Sequence, residues 1–173
     1  ELANIDVCKS TNLEDGDVSA FIRIGDDFQN NYYEYEVPLT VSPPLADLAI
    51  DPEADNPFSL YPRTFNWPEE NELNVQIQDL VDTKIERNFA ENTSYSKPYS
   101  KYDTISVDTI ENIAVPRLAR ITVVGSPDLG RTKQVMVGVR NGKQTFFNKD
   151  EDDGLPKCAE VWFNELRLSD FNQ

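Results

Sequence analysis

The chain has 173 residues, 39% of them hydrophobic and 27% charged, with nine Phe, seven Tyr and two Trp. That is enough apolar material for one domain with its own core, and too much for a disordered chain. The net charge is -15 and histidine is absent, which argues against nucleic-acid or anionic-lipid binding through a basic patch and excludes a Ser–His–Asp or Cys–His arrangement within the chain.

Taken in chain order, the first predicted strand is Ser19–Gly25, where Ala20, Ile22 and Ile24 alternate with Ser19, Phe21 and Arg23. Gly25-Asp26-Asp27 is a turn signal, and Asn31–Leu39 follows as a second strand. There Tyr33, Tyr35 and Val37 share one face and Glu34 and Glu36 the other, the clearest period-2 pattern in the chain. The two strands read as a hairpin, and the glutamate face reads as solvated.

Val41–Arg63 carries Pro43, Pro44, Pro52, Pro57 and Pro62 among acidic residues and is expected to be a long surface loop. Leu73, Val75 and Ile77 alternate, predicting a strand over Glu72–Ile77. Leu80, Val81, Lys84 and Ile85 then follow helical spacing from Gln78 to about Phe89. One helix across Leu73–Phe89 is the alternative, disfavoured by Asn74 and Val75. Asn92–Tyr102 is rich in Ser, Tyr and Pro and reads as a polar loop, with a short strand at Thr104–Asp108.

The last third is strongly β: Arg120–Gly125, then Gln134–Arg140, then an Asn141-Gly142 turn that would return Lys143–Phe147 as a hairpin. Ala159–Leu168 is the final predicted strand, with Val161, Phe163 and Leu166 toward the core and a bulge near Asn164. About seven to nine strands with one short helix and long loops predict an all-β fold, an antiparallel jelly-roll-like β-sandwich forming one domain over 1–173. Cys8 and Cys158 are too far apart for a CxxC site. They pair if the fold brings the chain ends together, and two buried thiols are the alternative. No run of about 18 apolar residues is present to form a membrane-spanning helix. With no signal peptide and no initiating Met, the chain reads as a piece of something longer.

Two stretches carry a family resemblance. One is Phe21–Leu39 followed by Trp67-Pro68-Glu69-Glu70-Asn71-Glu72-Leu73. The other runs from Val137-Gly138-Val139-Arg140 through Asp153-Gly154-Leu155-Pro156 to Ala159–Leu168. Together they resemble a segment of the SprA/Sov family, outer-membrane translocon proteins of the type IX secretion system linked to gliding motility. The resemblance implies a role in protein secretion at the outer membrane, on its cell-surface or periplasmic face. It also implies partners among accessory or cargo proteins of that system. The chain lacks serial strands of roughly ten residues with alternating lipid-facing positions, so it is expected to be a soluble insertion outside or beside the pore. A second, fold-level likeness is to carbohydrate-binding jelly rolls, which makes a glycan the alternative ligand.

Asn148, Asp150 and Asp152, in Asn148-Lys149-Asp150-Glu151-Asp152-Asp153-Gly154, are the best candidate metal ligands, with alternate oxygens suited to Ca²⁺. The loop departs from an EF-hand, with Asp153 in place of glycine and Ala159 at the closing position, so a solvated acidic loop is the expectation. Glu14-Asp15-Gly16-Asp17 is a weaker acidic turn. Tyr95, Tyr99 and Tyr102 of the predicted polar loop, and Trp67, are candidate contacts for a protein partner or a glycan. Glu34 and Glu36 share a strand face, a spacing that permits glycoside hydrolysis, which needs about 5–9.5 Å in a cleft. No catalytic residue is expected.

Overall fold

The computed structural model describes residues 13–42, 67–91, 93–110, 113–141 and 157–167, with the backbone alone over 107–110 and 113–115. Among these residues are five strands, β1 (Ser19–Gly25), β2 (Tyr32–Pro38), β3 (Tyr99–Ile110), β4 (Ile113–Val124) and β5 (Gln134–Arg140), one α-helix, α1 (Ile77–Phe89), and two short 3-10 turns. The strands form one antiparallel sheet in the order β3-β4-β2-β1-β5. The described residues are mostly β with one α-helix, as expected. The described residues form this single sheet, and the second sheet of a sandwich is not among them.

Period-2 alternation explains the sheet. Ala20 and Ile22 of β1, Tyr33, Tyr35 and Val37 of β2, and Ala119, Ile121 and Val123 of β4 are all buried on one face. Their registers align them: Ile22 pairs with Tyr35, Tyr35 with Ile121, and Tyr33 with Val123. α1 lies across this face and inserts Leu80, while Leu73 and Val75 pack beside it from the segment before the helix. Burying a side chain of this size stabilises by roughly 1.5–3 kcal/mol. Burial also pushes the Tyr35 phenol up to about 12, with Asp103 adding to the shift.

Several boundaries differ from those predicted. Residues 72–76 join no strand; Leu73 and Val75 pack against the core as apolar cover instead. Tyr99–Tyr102 is not loop but the start of β3, which pairs with β4 from Tyr99↔Val123 to Ile110↔Ile113 and slips register between Thr104 and Ser106. Residues 157–167 have no regular structure; Val161 packs on Val18, Ala20 and Leu39, whereas Phe163 and Leu166 are exposed. The final strand is therefore absent over those residues. The predicted return strand Lys143–Phe147 and most of Val41–Arg63 lie outside the described residues.

The helix buries Leu80, Thr83 and Arg87, a stripe that only partly follows the predicted apolar one. Thr83 bonds back to the Asp79 carbonyl at 2.7 Å. Arg87 is 1% exposed. Its Nη1 donates to the Gly125 carbonyl at 2.5 Å and its guanidinium stacks on the Tyr95 ring at 4.6 Å. Lys84 donates to the Pro127 carbonyl at 2.7 Å. Cations from the helix thus hold the turn after β4, where carbonyls have no ladder partner.

That turn needs Gly125. Its φ is +69°, and a Cβ there would lie 1.8 Å from the Asn30 carbonyl oxygen. Asn30 belongs to the β1–β2 connection, residues 26–31, which Asp27 organises by accepting from the amides of Gln29 (2.9 Å), Asn30 (2.5 Å) and Asn31 (3.3 Å). These bonds, led by the one from Asn30, lower the Asp27 carboxyl from 3.8 to about 2.

Two predictions follow from these turns. Gly125→Ala combines left-handed strain with a backbone clash; it is expected to lower stability by on the order of 1–3 kcal/mol, read as a reduced urea midpoint at unchanged slope. Because Asp27 is depressed in the folded state, its stabilisation is complete above about pH 4 and is lost as pH falls through about 2. A carboxyl NMR titration is expected to place its midpoint near pH 2, and Asp27→Ala to flatten the acid limb of the stability curve in that window.

Candidate functional site

The sheet face opposite α1 is where charged chemistry concentrates. Side-chain alternation puts Ser19, Phe21 and Arg23 of β1, Tyr32, Glu34 and Glu36 of β2, and Arg120 and Thr122 of β4 on this face. Met136, Gly138 and Arg140 of β5 and Ser100 and Tyr102 of β3 join them through the register. Glu34 and Glu36 are therefore not solvated, as their alternation alone suggests. Their side chains are 5% exposed, because three arginines from three other strands cover them.

Arg23 grips Glu34 Oε2 through Nε at 2.9 Å and Nη2 at 2.5 Å, and gives Nη1 to the Phe28 carbonyl at 2.5 Å. Arg140 donates to Glu34 Oε1 at 2.9 Å and also to Glu36 Oε2. Arg120 donates to the same Glu36 Oε2, and Ser19 donates to Oε1. Burial opposes the charge on Arg120, but the Glu36 carboxylate outweighs it and the guanidinium pKa rises. The aromatic rings complete the layer: Arg23 lies 4.0 Å from the Tyr32 centroid and Arg140 lies 4.8 Å from that of Phe21. Phe21 fits because position 138 is glycine; a Cβ there would sit 2.6 Å from Phe21 Cζ.

This arrangement does not suit glycoside hydrolysis. Both carboxylates are covered and saturated with donors, whereas hydrolysis needs one protonated acid and an open cleft between the pair. It suits charge recognition and structural locking.

The other predicted site residues are dispersed. Tyr95 is 60% exposed and stacks on Arg87. Tyr99 is half-buried and packs against the apolar core, paired with Val123. Tyr102 is 40% exposed on the arginine face, opposite Arg120 in register. Tyr99 and Tyr102 sit on opposite faces of β3, so the three rings do not share one surface. Trp67 is 40% exposed just before the short 3-10 turn Glu69–Asn71. Asn148, Asp150 and Asp152 lie outside the described residues, and no cluster of three or more metal-ligating side chains occurs among the described ones. Glu14–Asp17 closes on itself as a turn, with the Glu14 amide donating to Asp17 Oδ2 at 2.9 Å. Asp17 also pairs with Lys157 at 3.1 Å. Next to that contact Cys158 is disulfide-bonded; the chain's other cysteine, Cys8, lies outside the described residues.

Arg120 and Arg140 were hidden in the sequence by distance, 84 and 106 residues from the glutamates they meet, whereas Arg23 lies only 11 from Glu34. Arg23 and Arg140 are each the single charged residue of their strands, and Arg120 shares β4 with Arg117 alone; a lone charge in an apolar strand pattern is the signal for one that seeks a partner.

A family model described as motility related/secretion protein matches residues 3–173. No curated protein and no solved structure matches the chain.

The ion layer predicts an asymmetry between its members and surface pairs. Glu36→Gln leaves Arg120 without a carboxylate and Arg140 with Glu34 alone, and is expected to cost about 3–5 kcal/mol. Glu86→Gln removes the exposed pair with Lys101 (2.8 Å) and is expected to cost no more than about 1 kcal/mol. Urea unfolding of the two variants checks this; equal costs would refute it.

Proposed function

The chain belongs to the SprA_N family of motility and secretion proteins, and from that membership we propose that it is a non-catalytic structural and interaction module of a type IX protein secretion translocon. The reading places it at the outer membrane, on the cell-surface or periplasmic face, with accessory or cargo proteins of the secretion system as partners. The observation that carries it is the family match across nearly the whole chain, residues 3–173. The geometry is consistent with a non-catalytic role: the most plausible catalytic pair, Glu34 and Glu36, serves as the buried anchor of an ion layer. No helix among the described residues is long and apolar enough to cross a membrane. Glycan stacking draws no support from Tyr95, Tyr99 and Tyr102, which face different ways.

The test is genetic and biochemical. Cells in which the coding region for residues 13–167 is replaced by a short flexible linker are expected to lose export of secreted proteins and to stop spreading on agar. A photocross-linker at Trp67 or Tyr102 is expected to capture a component or cargo of the export system. Normal export and spreading after the replacement would sink the proposal.

A further inference from the structure

The arginine face carries more positive charge than its own carboxylates cancel. Three guanidiniums, on Arg23, Arg120 and Arg140, meet two carboxylates, on Glu34 and Glu36. The charges are also layered. The glutamate side chains are 5% exposed, while those of Arg120 and Arg140 are 28% and 29% exposed. The negative groups lie against the sheet and the positive groups form the surface above them. In a chain of net charge -15 this patch runs against the prevailing sign.

Arg120 and Arg140 reach one atom, Glu36 Oε2, from opposite sides: one from β4, the other from β5. Arg120 gives Glu36 only an Nη2 hydrogen, and Arg140 uses Nη1 and Nη2. Nε and Nη1 of Arg120, and Nε of Arg140, have no hydrogen-bond partner among the described residues. Neither side chain is loose. Glu36 holds both, and Phe21, lying over Gly138, supports Arg140 from below. Tyr102 stands beside Arg120 on the same face as an exposed rim. Arg23 contributes charge but no free fork, since Glu34, the Phe28 carbonyl and the Tyr32 ring occupy it.

We propose that this face is an oxyanion-binding site, in which a carboxylate or a phosphate ester bridges Arg120 and Arg140 from the solvent side as Glu36 bridges them from the sheet side. Guanidinium forks are built for such paired oxygens. The third guanidinium supplies the uncompensated attraction. Because both arginines are already fixed by Glu36, little side-chain entropy is lost on binding.

The experiment follows the arginine Nε–Hε resonances of the ¹⁵N-labelled chain during titration with acetate and with methyl phosphate, against sodium chloride at matched ionic strength. Saturable shifts are expected at Arg120 and Arg140 and not at Arg131, which is exposed and paired with Asp128. The stronger of the two anions identifies the source, an acidic side chain or a phosphate group, and either supports the site. Arg120→Gln is expected to weaken binding by about tenfold or more. Arg120→Lys, which keeps the charge on Glu36 and loses the fork, serves where the glutamine variant does not fold and is expected to weaken binding likewise. Shifts that track ionic strength alone, or that persist unchanged in a folded Arg120 variant, would overturn the proposal and leave the layer a purely structural lock.

Discussion

The sheet is organised around two carboxylates in the middle of its central strand. Glu34 and Glu36 sit on β2, each 5% exposed, where an unpaired charge costs several kcal/mol. The groups that neutralise them come one from each of three other strands: Arg23 from β1, Arg120 from β4, Arg140 from β5. Strand order is thereby written in charge as well as in hydrophobic pattern. A slip of β2 by one residue would turn both glutamates toward Leu80 and Ile121 and strand three arginines on the other side. Charge and apolar alternation therefore select the same register.

The same logic recurs on the helix side with neutral acceptors. α1 contributes one large buried apolar side chain, Leu80, and its other buried residues are Thr83 and Arg87. Arg87 and Lys84 dock the helix by donating to the carbonyls of Gly125 and Pro127. Arg117 does comparable work at the far end of β2, where it donates to Thr40 Oγ1 at 2.7 Å and to the Pro38 carbonyl. Asn71 clamps the Thr40 backbone from both sides there, accepting at 2.7 Å and donating at 2.9 Å. Arg87, Lys84, Arg117 and Asn71 each satisfy a backbone carbonyl at or just beyond a strand end, so polar side chains, three of them cationic, seal the perimeter of a modest apolar core.

Legibility in the sequence followed the reach of each signal. β1 and β5 were readable to the residue because strict alternation between turn signals leaves no other period. β3 was hidden at its start because Tyr99–Tyr102 pairs a core-facing Tyr99 with exposed Ser100 and Tyr102, and Pro98 and the serines mimic a loop. Residues 72–76 and 159–166 alternate like strands, yet alternation reports only that alternate residues meet different surroundings. Leu73 and Val161 meet the apolar layer without any ladder. The family resemblance was readable from long local motifs. The ion layer was not, since Glu34 meets Arg140 106 residues away, and no local window contains both.

The apolar face is covered unevenly, and the ion layer explains why this is tolerated. α1 packs on β4 and β3, and β5 lies at the opposite edge, with Val135, Val137 and Val139 exposed at 46%, 41% and 39%. A strand with so little apolar cover gains little from burial. It is held from the other face instead: Arg140 ties it to both glutamates of β2 across the intervening β1, and Phe21 of β1 lies over Gly138 of β5. A side chain in place of Gly138 would push Phe21 away from Arg140 and loosen the strand at the point where it is tied. The charges therefore extend the sheet one strand beyond what the helix can shelter, and in doing so they bring Arg140 to within reach of the carboxylate that Arg120 also holds.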